Sequence, residues 1–137
     1  VKHALIVLDT WALQGIHFKE KDRPAPPLPR TRPGLCQSTS LHSLTDVLQD
    51  WQNLDYAFLS PIFDSISKEG YAAAGFDPAQ LAVALGQAQM PVYALGGITP
   101  ERLPVVREMG FAGAGILGAV WSQEDPVAAF LEFQQQL

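Results

Sequence analysis

The sequence has 137 residues, of which 47% are hydrophobic and 17% charged, a balance that allows one compact domain with a core and excludes extensive disorder. A net charge of −5 argues against a nucleic-acid or membrane surface, and no run of about 18 apolar residues predicts a transmembrane helix. The single cysteine, Cys36, excludes an internal disulfide and predicts a buried structural thiol in a cytoplasmic protein.

The first part of the chain predicts a helix, two strands and a long loop between the strands. An amphipathic segment around His3 to Leu13 predicts the helix, and Gly15 to Phe18 predicts a short strand. The connection from Lys19 to Gly34 contains five prolines and is expected to be an extended loop. An apolar run that starts at Leu35 and ends at Ser40 predicts the second strand.

The middle of the chain predicts a helix followed by a strand. Apolar residues recur at helical spacing after Ser43, a plausible N-cap, at Leu44, Val47, Leu48 and Trp51. Asp55 to Phe63 is then expected to form a strand that ends at Pro61 or just after it.

Three further helices share one start signal, a capping side chain directly before a proline at the first helical position. The three pairs are Asp77-Pro78, Thr99-Pro100 and Asp125-Pro126. Apolar runs from Val92 to Ile98 and from Ala114 to Val120 predict the strands between these helices, and Gly110 is expected to end the helix before the last strand.

This alternation of apolar strands and helices predicts an α/β fold, a parallel sheet covered by helices, with about five βα units. A complete eight-stranded barrel requires roughly 200 to 250 residues. A chain of 137 residues is therefore expected to be too short to close such a barrel by itself.

The loop from Asp64 to Phe76 is the first candidate for chemistry because it directly follows a predicted strand. Its two hydroxyls and one ammonium group, on Ser65, Ser67 and Lys68, could all donate to phosphate oxygens. An ordinary polar loop with a solvated lysine is the alternative that this spacing leaves open.

Two glycine-containing strand ends form the second candidate. Gly96 and Gly97 lead from a strand into a capped helix start, an arrangement that predicts an anion cradle of backbone amides. A tight turn that merely needs glycine is the alternative. The segment Ala114 to Ala119 has the same form, with Gly118 at its exit. Consecutive final strands are where barrels commonly bind phosphate.

Two further candidates lie nearer the start of the chain. Ser40 could bond a ligand and His42 could serve as an acid or base, although a lone histidine is more often structural. Asp22 lies in a charged run that is normally solvated surface. No cluster of residues has the spacing of zinc ligands.

In this order the strand-end motifs resemble those of the thiamine phosphate synthase/TenI family. The five matches are Gly15-Ile-His17 with Asp22, Ser40-Leu-His42-Ser43, Ser60-Pro-Ile-Phe63 with Ser65-Ile-Ser67-Lys68, Gly96-Gly-Ile-Thr99, and Gly113 to Gly118. Ser60 stands where the family usually has glycine, Gly118 replaces a common serine, and Glu20 replaces a common glutamine.

The resemblance implies a (β/α)8 TIM barrel whose N-terminal strands are missing, with residues 1–137 as a single partial domain. The family's synthase joins hydroxymethylpyrimidine diphosphate to a thiazole phosphate, with diphosphate as the leaving group and Mg2+ as the cofactor. Small phosphorylated molecules are therefore the expected partners, and a homo-oligomer is left open.

The resemblance also suggests a role for each matching residue. Lys68 would contact the diphosphate and Asp22 would bind the metal. Ser65 and Ser67 would lie near the thiazole phosphate, and Ser40 would contact the pyrimidine. Backbone groups of Gly96, Gly97, Leu117 and Gly118 would surround the thiazole phosphate.

Two alternatives to the synthase remain at this point. A TenI-like thiazole tautomerase shares the fold and would use a histidine that matches His42 as its proton carrier. A truncated barrel fragment without catalytic activity is the other alternative, because the family's Q-x-R-x-K diphosphate clamp and Asn-Asp metal pair belong to the early strands, which this sequence does not contain.

Overall fold

The structure is a computed structural model that describes residues 2–64 and 75–136. The described part has α/β architecture, and its strands and helices alternate from β2 to α5. Its strands are β1 (Gly15–Phe18), β2 (Cys36–Leu41), β3 (Tyr56–Leu59), β4 (Val92–Leu95) and β5 (Gly113–Gly115). Its helices are α1 (Lys2–Thr10), α2 (Leu44–Val47), α3 (Pro78–Gln87), α4 (Leu103–Glu108), α5 (Gly118–Trp121) and α6 (Pro126–Gln134). None of these helices is long and apolar enough to cross a membrane.

The five strands form one parallel sheet in the order β1-β2-β3-β4-β5, which confirms the predicted fold class. Each strand pairs with the next along the chain, so the carboxyl ends of all five lie along one edge of the sheet. In the described part, β1 and β5 are the two outermost strands. Within residues 2–64 and 75–136 the sheet is therefore open and does not close into a barrel.

One face of the sheet packs against the helices and forms the core. Because side chains alternate across a strand, every second residue faces this core. Phe18, Leu41, Leu59, Val92 and Ala94 are buried in it. The opposite face, here called the inner face, carries the intervening polar and aromatic residues of the sheet. They include His17, Cys36, Ser38, Ser40, Tyr56, Phe58 and Tyr93. Cys36 is a free thiol. It is only half-buried, whereas the sequence predicted a buried thiol.

The buried side chain of Gln37 holds the proline-rich loop to the sheet. Its Oε1 accepts from the backbone of Thr31 at 2.6 Å, and its Nε2 donates to the carbonyl of Asn53 at 2.9 Å. Asp55 accepts from the Gln37 backbone at 2.7 Å and pairs with Arg30 at 3.1 Å. The bonds to Thr31 and Asn53 satisfy the Gln37 side chain, which is fully buried, as stability requires.

Of the three caps predicted before a proline, the two aspartates are present and the threonine is not. The Asp77 side chain accepts from Gln80 N, and the Asp125 side chain accepts from both Val127 N and Ala128 N. Ser43 caps α2 as expected by accepting from Asp46 N. Thr99 does not cap a helix, because Pro100–Arg102 forms a 3-10 turn before α4 begins.

Several predicted boundaries are wrong. The helix after Ser43 is a single turn, and Trp51 is buried from the loop that follows it. The predicted strand from Ala114 to Val120 is a three-residue strand, Gly113–Gly115, followed by the helical turn α5. The long loop contains one 3-10 turn at Glu20–Asp22. A short apolar run does not reveal where a strand turns into a helix, because its periodicity fits either element.

Candidate functional site

The candidate site lies along the edge formed by the carboxyl ends of the strands. Ser40 lies in the last part of β2 and His42 directly follows it. Gly96 and Gly97 directly follow β4, and Leu117 and Gly118 come after β5. The parallel topology therefore places these predicted residues on the same edge of one sheet. Active sites of parallel α/β proteins are built from residues at this edge.

A bridge of hydrogen bonds joins β1 to β2 on the inner face. His17 Nδ1 is 2.9 Å from Ser38 Oγ, and His17 Nε2 is 3.0 Å from Ser40 Oγ. A neutral imidazole donates from one nitrogen and accepts at the other, so both serine hydroxyls have a partner. Ser40, a predicted ligand contact, is thus held in place by a histidine to which the sequence alone gave no role. In the observed register His17 lies opposite Ser38, a pairing that is fixed by the sheet and not by the local sequence.

The pKa of His17 lies below its usual value. Partial burial disfavours the charged imidazolium, and the nearby charge of Lys19 acts in the same direction. A neutral His17 is compatible with the two bonds to serine.

His42 is held by the backbone of the neighbouring strand end. Its Nδ1 lies 2.8 Å from the carbonyl oxygen of Ser60, which can only accept, so Nδ1 carries a proton. Its Nε2 then faces Glu20, whose Oε2 is 4.0 Å away. Nε2 is therefore the ring nitrogen that does not bond the backbone of the neighbouring strand end.

Asp22 lies at the end of the 3-10 turn after β1, and its side chain is exposed. Within residues 2–64 and 75–136, no group of three or more His, Cys, Asp or Glu side chains could hold a metal ion. A magnesium ion is usually held by one or two carboxylates together with water and substrate phosphates. The single carboxylate of Asp22 fits such a site only when those further ligands are present.

The turn at Gly96 and Gly97 packs tightly against the chain that follows β3. Both glycines have positive φ angles, 98° and 63°. The backbone of Ile62 donates to Leu95 O at 3.0 Å, and that of Phe63 donates to Gly96 O at 3.2 Å. A Cβ atom on Gly97 would lie 2.7 Å from Phe63 Cβ. Glycine is thus required here by conformation and by close packing.

Arg102 contacts both partners of the same turn, Gly97 and Phe63. Its Nη1 donates to the carbonyl oxygen of Gly97 at 2.6 Å, and its guanidinium lies 4.6 Å from the centre of the Phe63 ring. The turn leads into the 3-10 turn Pro100–Arg102. The sequence predicted the N-terminus of an α-helix at this point, and the α-helix begins only at Leu103.

Arg23 makes the same two kinds of contact near Ser40 that Arg102 makes near Gly97. Its Nη1 donates to the carbonyl oxygen of Ser40 at 2.6 Å and to Thr39 Oγ1 at 3.2 Å. Its guanidinium lies 4.7 Å from the centre of the Trp51 ring. Sequence reasoning missed both arginines, because neither is adjacent in sequence to the strand end that it contacts.

Two groups of predicted residues remain, one after β5 and one in the predicted loop after β3. Leu117 is exposed and precedes the single turn of α5, where its carbonyl accepts from Val120 and Trp121. Gly118 is the first residue of that turn. Ser65, Ser67 and Lys68 lie outside the described residues, so their roles stay predictions.

A parallel sheet in sequential strand order, with polar residues at the carboxyl ends of its strands, is the arrangement of part of a TIM barrel, which gives the class of the fold. A family model described as thiamine monophosphate synthase matches residues 3–120. The chain therefore belongs to the thiamine monophosphate synthase family.

Individual relatives agree with this assignment. The chain is 35% identical over 118 residues to a thiamine-phosphate synthase of Latilactobacillus sakei, covering 84% of this chain and 52% of the relative. It is 34% identical over 120 residues to a protein of the same name from Desulfitobacterium hafniense, covering 84% and 56%. The chain thus spans about half the length of these curated relatives.

The fold also matches a solved structure of the same family. A thiamine phosphate pyrophosphorylase from Pyrococcus furiosus superposes with a TM-score of 0.74 at 21% identity, covering 96% of this chain and 63% of that one. At this identity the match concerns the fold, and the parallel sheet corresponds to part of the barrel in that protein.

Proposed function

We propose that the protein to which this chain belongs is a thiamine-phosphate synthase, a transferase of thiamine biosynthesis. It would join hydroxymethylpyrimidine diphosphate to thiazole phosphate and release diphosphate. The main support is the placement of the family motifs. Ser40, His42, Gly96, Gly97 and Gly118 lie near or after the carboxyl ends of three different strands, on one edge of the sheet.

The reaction would break the bond between the pyrimidine methylene carbon and the diphosphate oxygen, which leaves with the electron pair. The thiazole nitrogen would then form the new carbon–nitrogen bond. Catalysis of this kind depends on stabilising the leaving charge, and preorganised cations and hydrogen-bond donors do this best. Lys68 is the proposed cation.

The remaining residues of the chain would bind and orient the two substrates. The turn at Gly96 and Gly97, with Leu117 and Gly118, would bind the thiazole phosphate through backbone groups, and Ser65 and Ser67 would add hydroxyls. Ser40, fixed by His17, would contact the pyrimidine. His42 would hold or move a proton at Nε2. We further propose the cytoplasm as the location.

Magnesium is the proposed cofactor, and Asp22 would supply one carboxylate ligand. When bound, the ion would neutralise part of the diphosphate charge. The other ligands would have to come from the substrate, from water and from other parts of the protein.

A substitution of Lys68 tests the proposal. The Lys68→Ala variant of the complete protein should form thiamine phosphate roughly 100-fold more slowly, as expected when a charge-stabilising group is removed from a site. Lys2→Ala is the matched control, because Lys2 lies at the start of α1 and belongs to no proposed site. Unchanged turnover of Lys68→Ala would contradict the role of Lys68.

The same assay separates the synthase from the tautomerase. Product should require both the pyrimidine diphosphate and the thiazole phosphate. If the protein converts a thiazole phosphate isomer without the pyrimidine, and makes no thiamine phosphate with it, the synthase proposal is wrong.

A further inference from the structure

Arg23 and Arg102 share one geometry at two different strand ends. Each guanidinium lies over an aromatic ring, at 4.7 Å from the centre of Trp51 and 4.6 Å from the centre of Phe63. Each also donates a 2.6 Å hydrogen bond to a backbone carbonyl, that of Ser40 or that of Gly97. Charged donors make the stronger hydrogen bonds, and a stacked guanidinium loses little further freedom in making them.

The bond from Arg102 fixes the direction of the peptide group between Gly97 and Ile98. A peptide group is planar, so its carbonyl and its N–H point in opposite directions. When Arg102 binds the carbonyl of Gly97, the N–H of Ile98 is directed away from Arg102. Two glycines with positive φ have a wide choice of conformations, and this contact selects one of them.

The bonds from Arg23 act in the same way on the end of β2. The Arg23 side chain is only 9% exposed, and it also bonds Thr39 Oγ1 and lies 3.9 Å from Asp46. It therefore joins the loop that carries Asp22 to the residue proposed to contact the pyrimidine. Ser40 is held on two sides, by Arg23 at its carbonyl and by His17 at its hydroxyl.

We propose that Arg23 and Arg102 are positioning residues, each for one substrate of the reaction. Arg23 orients the pyrimidine side of the site through Ser40, and Arg102 orients the thiazole-phosphate side through the turn at Gly97. Neither side chain is required to touch a substrate. This inference rests on the proposed function for the identity of the two substrates, and on the structure for the two contacts.

The test measures KM for each substrate separately in matched variants of the complete protein. Arg102→Met, which keeps an unbranched side-chain stem but removes the charge and the donors, should raise KM for the thiazole phosphate about tenfold. It should leave KM for the pyrimidine diphosphate within about twofold. Arg23→Met should show the opposite selectivity. Arg107→Met is the control for the loss of one charge, since Arg107 lies on α4 and bonds only Gln136 O among its described contacts, at 3.4 Å.

The conservative variants separate positioning from general stability. Arg23→Lys and Arg102→Lys keep the charge but not the planar stack, and should recover part of the lost affinity for one substrate only. If Arg23→Met does not fold, Arg23→Lys and both Arg102 variants still carry the test. Equal changes in both KM values, or no change in either, would overturn the proposal.

A second measurement does not depend on catalytic activity. If the protein makes no thiamine phosphate, the proposed function is wrong, but this measurement still tests the positioning role. Amide hydrogen exchange follows the contacts directly. Arg102→Met should speed exchange at the Phe63 amide, which donates to Gly96 O, while Arg107→Met should not. Unchanged exchange at Phe63 in Arg102→Met would overturn the positioning role of Arg102.

Discussion

Gly97 is the residue at which conformation and packing restrict the sequence most severely. Its φ of 63° lies in the left-handed region, and a Cβ atom would come within 2.7 Å of Phe63 Cβ and closer still to the carbonyl oxygen of Asp64. The sequence predicted either an anion cradle or a tight turn at this point. The structure shows the tight turn, and phosphate binding by it stays a prediction.

Gly97→Ala should therefore destabilise the protein by about 2 kcal/mol or more, since left-handed backbone strain costs ~1 to 2 kcal/mol before the clash is added. The measurement is the free energy of unfolding in urea. Gly86→Ala is the control, because Gly86 lies in α3 with nothing within 4 Å of its Cβ position. It should be neutral or stabilise the protein by about 0.5 to 1 kcal/mol. Equal effects of the two substitutions would contradict this account.

His17 should make stability depend on pH. Its pKa in the folded protein lies below the value of 6.5 expected when unfolded, so below this pH the unfolded chain binds a proton that the folded chain does not. Stability should fall as pH decreases through the window that starts near 6.5 and extends to the lowered pKa. His17→Gln, which can still donate and accept, should reduce this slope in melting temperatures measured between pH 8 and pH 5. An identical slope in the variant would exclude His17 as the cause.

At the scale of elements, three helix starts with the same sequence signal behave differently. Asp77 and Asp125 accept hydrogen bonds from the first turns of α3 and α6, whereas Thr99 precedes a 3-10 turn and makes no capping bond. Proline fixes the backbone at the first helical position in all three. It does not determine whether an α-helix or a tighter turn follows, which depends on where the next residues can pack.

Removal of these side chains should reveal the difference. Asp125→Ala loses two hydrogen bonds of 3.0 Å and should cost about 1 kcal/mol of stability. Thr99→Ala loses no capping bond and should cost less than about 0.5 kcal/mol. Both values are measured by denaturant unfolding. A cost for Thr99→Ala as large as that for Asp125→Ala would show that Thr99 does stabilise the helix start.

At the scale of the whole molecule, apolar side chains are exposed mainly on the helices that precede β1 and follow β5, the two outermost strands. Within the described residues they lie on or next to α1 and on or next to α5 and α6. They are Ile6, Val7, Trp11, Leu13, Leu117, Trp121, Val127, Phe130 and Leu131. On the inner face an open cavity of about 290 Å³ is lined by Tyr56, Phe58, Tyr93, Ala114 and Gly115. In a closed barrel these surfaces would be covered.

The 137-residue chain by itself should therefore associate with increasing concentration and bind a hydrophobic dye, since patches of this kind drive association. Trp11→Lys combined with Trp121→Lys, residues that are 72% and 71% exposed, should reduce both effects without loss of helix content. Val83→Lys is the control. Val83 is also exposed, but it lies on α3, away from the two groups of exposed apolar residues. A monomer at every concentration, measured by analytical ultracentrifugation, would contradict this expectation.

The sequence by itself determined the fold class, the number and order of the strands and the family. Apolar runs, proline and glycine signals and strand-end motifs are local properties, and the chain carries them in a readable order. Only the tertiary structure decided where β5 turns into a helical turn and that Thr99 is no cap. It also showed that His17 bridges two serines and that two arginines hold the strand ends. These features depend on contacts between residues such as Arg102 and Phe63, which lie 39 positions apart and meet only when the sheet has formed.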